Sequence, residues 1–198
     1  IAKNLEYRNY ILVSFLCSNF NLKNDTDYQT INNITPDSWI YLQGENLKAG
    51  RLHIMNNFSP YVVEDYINNT LVNLEYFCNE NDDLWNKNNN DMINLGISEL
   101  KSLGIINEND ILSSNCIKVE KAYPAYFGVY KDFDKIKEYL NNFENLYCIG
   151  RNGQHKYNNM DHSILSGLKV AEIIANNSDK TVLWQINTSE DYLESKNQ

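Results

Sequence analysis

The chain has 198 residues, with 17 Lys and Arg against 26 Asp and Glu, for a formal charge of −9. That length allows one or two domains with a real core, and 42% apolar with 22% charged residues is ordinary globular composition. The acidic balance, without any basic run, excludes nucleic-acid binding through phosphate neutralisation and argues against charge-driven docking on an anionic membrane; no apolar run reaches the roughly 18–20 residues of a membrane span.

The first third reads as strands. Tyr10–Cys17, Trp39–Leu42, Arg51–Asn56 and Asn69–Cys78 are short runs rich in Ile, Leu, Val, Tyr and Phe. Turn residues separate them: Asn24-Asp25, Pro36-Asp37, Gly44, Gly50 and Ser59-Pro60. Consecutive strands joined this way predict an antiparallel sheet. A helix follows over Asn90–Leu103, with Ile93, Ile97, Leu100 and Leu103 on its inner face and Gly104 as its stop. The sequence then predicts a strand near Cys116–Val119 and an aromatic loop, Ala122–Tyr130. Asp132 can cap a second helix, Phe133–Asn142, burying Phe133, Ile136, Leu140 and Phe143.

The last third changes character. Leu146–Ile149 reads as a short strand ending at Gly150. A polar loop follows, and then a long helix, Asp161–Asn176, with Ile164, Leu168, Ala171 and Ala175 on one face and Ile174 beside them. One strand and one helix cannot bury each other, so this unit is expected to complete a sheet that lies elsewhere. Residues after 188 form a polar tail.

Cys17, Cys78, Cys116 and Cys148 are widely separated, without CxxC spacing. They read as reduced core thiols of a cytoplasmic protein, and no metal site is supported. Asparagine is over-used, with a cluster at residues 86–90, so its scattered Asn-x-Ser/Thr triplets carry no weight. Glu80, Asp82 and Asp83 read as solvated turn residues rather than a cation site. His155 and His162 straddle a loop–helix junction, where acid–base chemistry competes with an ordinary hydrogen-bonded role; His53 reads as structural.

The loop Gly150-Arg151-Asn152-Gly153 is the most informative feature. Glycines allow close backbone approach, a helix N-terminus offers free N–H groups, and Arg151 adds a charge. The same residues also suit a plain connection that merely turns the chain.

The wider string Gly150-Arg-Asn-Gly-Gln-His-Lys-Tyr-Asn-Asn-Met-Asp-His-Ser163 resembles the C-terminal flavin-binding segment of a flavoprotein superfamily. That superfamily contains UDP-galactopyranose mutases, amine and protoporphyrinogen oxidases and phytoene desaturases. Gly50-Arg-Leu-His-Ile-Met-Asn-Asn-Phe-Ser-Pro60 is similar to their substrate-domain strand and turn. Ala122-Tyr-Pro-Ala-Tyr126 is similar to the aromatic segment beside the flavin. The resemblance spans about residues 8–193 and implies FAD as cofactor, with Gly150, Arg151, Gly153, Met160 and Asp161 toward it. Arg51, Asn57, Tyr123, Tyr126 and Tyr157 would face a small-molecule substrate, such as a nucleotide-sugar; the catalytic residues stay unassigned. A helix opening at Met160-Asp161 would stabilise negative charge on a reduced flavin, although Asp161 suits a plain N-cap equally well.

These flavoproteins begin with a strand and a GxGxxG turn, which is absent here among only eight glycines. The sequence, which opens at Ile1, therefore reads as the C-terminal portion of a longer flavoenzyme, whose missing partner is an N-terminal dinucleotide-binding portion. The expected fold is α+β: a mainly antiparallel, mixed sheet with packing helices over residues 1–143, a C-terminal strand–loop–helix of an FAD-binding domain over 144–188, and the tail 189–198. The enzyme would act in polysaccharide or nucleotide-sugar metabolism, and the piece alone would be inactive and free of FAD. The alternative is a non-catalytic α+β module that binds a ligand or a protein partner.

Overall fold

A computed structural model describes residues 1–188; the tail expected over 189–198 lies outside the described residues. Five strands form one sheet: β1 (Tyr7–Cys17), β2 (Trp39–Tyr41), β3 (Arg51–Ile54), β4 (Thr70–Cys78) and β5 (Ile111–Pro124), in the order β2-β3-β4-β1-β5. The pairings of β2 with β3, β3 with β4 and β4 with β1 are all antiparallel. The antiparallel expectation therefore holds, but β1 pairs with distant β4 rather than with β2. The helices are α1 (Asp83–Asn86), α2 (Asn89–Ser102), α3 (Phe133–Asn141), α4 (Gly150–Gly153) and α5 (Met160–Asn176). None is long and apolar enough to cross a membrane.

The chain divides into two compact units, one of residues 9–120 and one of residues 1–8 with the chain from Lys121 on. In the first, strict alternation on β1 buries Ile11, Val13, Phe15 and Cys17 on one face. Leu52, Ile54, Val72, Leu74 and Tyr76 join them in the core, with Met92 and Leu100 from α2. Asn88 caps α2 by accepting a 2.9 Å hydrogen bond from Asp91 N–H, and Gly104 follows the helix with φ +69.

The inner face of α2 differs from the expected one. Met92, Gly96, Glu99 and Leu100 are buried, whereas Leu103 is exposed and Ile93 and Ile97 sit at the flank. Phe15 is the reason: a Cβ on Gly96 would lie 2.8 Å from its ring, so only glycine lets the helix approach. The Glu99 carboxylate accepts from Lys48 N–H, from Ala49 N–H and, at 2.8 Å, from Tyr76 Oη, tying the loop before β3 to the helix. Burial and the Glu99 charge push the Tyr76 hydroxyl far above its ordinary pKa.

In the second unit, α3 buries Phe133, but Phe143 is exposed. The Asp132 carboxylate pairs with Lys135 at 2.7 Å instead of capping the helix. Helix α5 is turned over relative to expectation: Ser166 and Ile173 face inward, while Ile164, Leu168, Ala171, Ile174 and Ala175 are exposed. The expected strand at Leu146–Ile149 is not formed. Ile149 is extended (φ −133°, ψ 161°), but among the described residues no strand pairs with it, and the chain turns at Gly150 into α4. The expected aromatic loop is shortened, because β5 runs through Tyr123 to Pro124. All four cysteines are free thiols; three are buried and Cys148 is half-buried.

Candidate functional site

The turn into the loop requires the left-handed region at Gly150, φ +72, where a side chain would be strained even though open space surrounds the position. Gly150 N–H donates to Ser166 Oγ at 3.0 Å, anchoring the loop's start to the inner face of α5. Amide side chains brace the rest. Asn158 Nδ2 donates to Gln154 Oε1 at 2.7 Å, Gln154 Nε2 to Leu183 O at 2.7 Å, and Asn187 Nδ2 to Asn158 Oδ1 at 3.0 Å. Asn158 and Gln154 are 2% and 3% exposed, so these two amides form a buried brace, while Asn152 and Asn159 of the same string are exposed.

The scaffold presents Arg151. Its guanidinium lies 4.9 Å from the Tyr123 ring centroid and 4.6 Å from that of Tyr157, and these two rings are near parallel at 5.5 Å. Arg151 Nε donates to Asn158 O at 3.0 Å. Tyr126 Oη accepts from Tyr157 N–H, and Lys156 Nζ lies 5.1 Å from the Tyr126 ring. Gly150, Arg151, Gly153, Tyr123, Tyr126 and Tyr157 thus gather around one loop in this unit. Met160, 79% exposed, and Asp161 open α5, whose N-cap Asn159 makes no side-chain capping bond.

His155 is not free for acid–base work. It is 3% exposed, in the left-handed region at φ +46, edge-on to Tyr7, with Nε2 3.2 Å from Ala125 O. Burial lowers its pKa, partly offset by that hydrogen bond. His162 sits beside Asp161 at 3.2 Å.

Arg51 and Asn57 belong to the other unit. The Arg51 side chain is buried and paired with Glu75, and its guanidinium is 4.6 Å from the Trp39 ring centroid. Asn57 Nδ2 donates to Thr35 O and Asp37 O at 2.8 and 3.1 Å, fixing the turn before β2. Sequence reading passed over Asn73 and Glu75 beside them. Their signal is a pair of polar residues two apart, Asn73 and Glu75, in the middle of the mainly apolar strand Thr70–Cys78.

No protein-family model matches the sequence, and no curated protein matches it. Solved structures do match in fold. A reduced UDP-galactopyranose mutase superposes with TM-score 0.72 at 17% identity, over 94% of this chain and 37% of that one. A structure assigned as a protoporphyrinogen oxidase from Exiguobacterium sp. 255-15 superposes with TM-score 0.58 at 11% identity, over 89% of this chain and 36% of that one. At such identities the likeness is one of fold, and the chain spans little more than a third of the length of either structure.

Proposed function

We propose that the chain is part of an FAD-dependent flavoenzyme, amine oxidase-like or UDP-galactopyranose mutase-like, acting on a nucleotide-sugar in cytoplasmic polysaccharide metabolism. Residues 1–143 supply a substrate-domain sheet, and residues 144–188 supply the closing segment of the FAD-binding domain. The observation that carries this reading is the outward face of α5. Ile164, Leu168 and Ile174 are 58%, 60% and 58% exposed, and α5 follows, across α4 and residues 154–159, an extended Ile149 that no strand among the described residues pairs with. Covering such side chains is worth about 1.5–3 kcal/mol each. An extended segment followed by an apolar helix is half of a βα unit, and a parallel sheet from a dinucleotide-binding portion would cover both. The share of the two solved structures that this chain leaves unmatched is large enough to hold that portion.

The loop residues fit a flavin. With no side-chain cap from Asn159, the first-turn N–H groups of α5 remain for a ligand, and Gly150 has open space where a Cβ would stand. When bound, FAD supplies reversible electron transfer at its ring system. This chain's residues orient and polarise: the opening of α5 favours negative charge near Met160-Asp161, and the Tyr123–Arg151–Tyr157 stack holds a cation and two flat rings beside the loop.

The test is a visible spectrum of the full-length polypeptide that contains this sequence, after removal of free ligand. A stoichiometric flavin band is expected; a folded, colourless protein overturns the reading. The 198-residue chain mixed with FAD and desalted is expected to stay colourless and inactive. A stoichiometric band there would overturn the assignment of the dinucleotide cradle to another portion.

A further inference from the structure

In the second unit, His155 sits among three aromatic rings. Tyr7 from β1 meets it edge-on at 4.7 Å, and Tyr130 and Phe133 lie at 5.8 and 5.7 Å. Only one ring nitrogen is bonded. Ala125 O can only accept, so Nε2, 3.2 Å away, carries the proton; Nδ1 holds the lone pair, buried and without a partner among the described residues. The same residue fastens the loop. His155 N–H donates to Asn152 O at 3.3 Å, and on either side Gln154 N–H donates to Gly150 O at 3.3 Å and Lys156 N–H to Arg151 O at 3.0 Å. Those three bonds form the turn that carries Arg151.

We propose that His155 is an acid-operated latch: the neutral ring pins the loop Gly150–Asn158, and proton uptake at Nδ1 releases it. A second ring proton turns Nδ1 into a buried donor and places a full charge where nothing balances it. The groups around the cage oppose that charge. Lys121 Nζ stands 6.0 Å from the Tyr7 ring, and Lys156 Nζ 5.9 Å from the Tyr130 ring. Asp132 and Asp134, on either side of Phe133, pair with Lys135 and Lys137. The Glu6 carboxylate, next to Tyr7 in the chain, lies against Gly128. Burial holds the ring neutral, and the bond to Ala125 O is the one group that works against it. A charged ring therefore moves to water. The backbone favours that departure, because a residue with a side chain keeps φ +46 only while its packing holds it there. With the ring gone, the three N–H bonds of the turn lose their cover, and the platform under Arg151 loosens. The latch is a property of this chain's own residues. Only the identity of what a loosened Arg151 would let go rests on the flavin reading, and the test needs no flavin, so the two can fail separately.

The test is amide hydrogen exchange of the 198-residue chain, read residue by residue by NMR at pH 7.5 and 5.0 and corrected for the intrinsic exchange rate. The reporters are the N–H groups of Gln154, His155 and Lys156. An opening that exposes an imidazole of ordinary pKa, near 6.5, becomes more favourable by up to about thirtyfold over that interval, and by less where the ring also titrates in place. A loss of protection of about five- to thirtyfold is expected at the reporters, with much smaller changes at the core amides of residues 9–120. In H155N, which keeps a residue suited to the left-handed backbone but cannot titrate, the loss is expected to vanish. The ring resonances of His155 in the parent chain give a second reading that needs no variant: a neutral ring with the proton on Nε2 is expected at pH 6.5. Unchanged protection at the reporters, the same loss throughout residues 9–120, equal losses in parent and H155N, or a ring at least half protonated at pH 6.5 would each overturn the proposal.

Discussion

Arg51 and Glu75 are register partners on β3 and β4, and their side chains form an ion pair only 3% and 5% exposed. The same carboxylate accepts from Tyr10 Oη at 2.9 Å. Burial opposes ionisation of Glu75, but His53, Arg51 and Tyr10 outweigh it and hold the carboxyl below its ordinary range. Such a pair adds little net stability when whole and is expensive to break.

E75Q, which strands the Arg51 charge, is expected to destabilise the chain by about 3–5 kcal/mol in denaturant unfolding. The paired replacement R51M/E75L is expected to recover most of that loss. Because the folded carboxyl has a depressed pKa, its contribution is complete above the unfolded value, near 4.3, and fades as pH falls through the folded value. Melting curves of the parent should therefore drop more steeply in acid below about pH 4 than those of R51M/E75L. Parallel curves would contradict this account.

G96A sets two effects against each other. Alanine in a helix interior is worth up to about 1 kcal/mol over glycine, but its Cβ would sit 2.8 Å from the Phe15 ring and 3.4 Å from Leu74. Overpacking of that kind costs about 1–3 kcal/mol. The expected result is a lower Tm, relieved by F15L in the double variant; a rise in Tm for G96A would show that α2 can simply move outward.

His155 favours the neutral form in the folded state, so the unfolded chain binds its proton more readily. Stability attributable to it is expected to fall as pH drops from about 7 through the ordinary histidine pKa near 6.5, levelling off below the lower folded value. H155N tolerates the left-handed backbone and does not titrate. Its Tm should change less than the parent's between pH 7 and 5; identical slopes would remove His155 as the source.

Arg151 is held by two rings and one carbonyl, contacts worth about 0.5–1 kcal/mol each. R151A is expected to lose about 1–3 kcal/mol of stability, and R151K to recover little, because an ammonium lacks the planar stack. If the full-length polypeptide that contains this sequence binds flavin as proposed, R151A should weaken flavin affinity or turnover roughly tenfold to hundredfold, and K156A much less. Unchanged flavin affinity and turnover in both variants would reduce the loop to a connection.

The sequence by itself placed the five strands that form, because runs of Ile, Leu, Val, Tyr and Phe bounded by turn residues are a local signal, although the sixth such run, Leu146–Ile149, forms no strand. It also marked Gly150 and Arg151, since a glycine turn beside a cation and a helix opening is a local pattern. Tertiary structure alone decided which strands meet. The pairing of β1 with β4 joins segments more than fifty residues apart, and local periodicity carries no information about a distant partner. It also decided which side of a helix is inside. Spacing on α2 favoured Ile93 and Ile97, but the Phe15 ring admits only Gly96. On α5 the apolar stripe is real, yet among the described residues the packing surface is taken by Ser166 and Ile173, leaving Ile164 and Leu168 outward. Amphipathicity states that a face needs cover, whereas only the assembled neighbours determine whether cover is present.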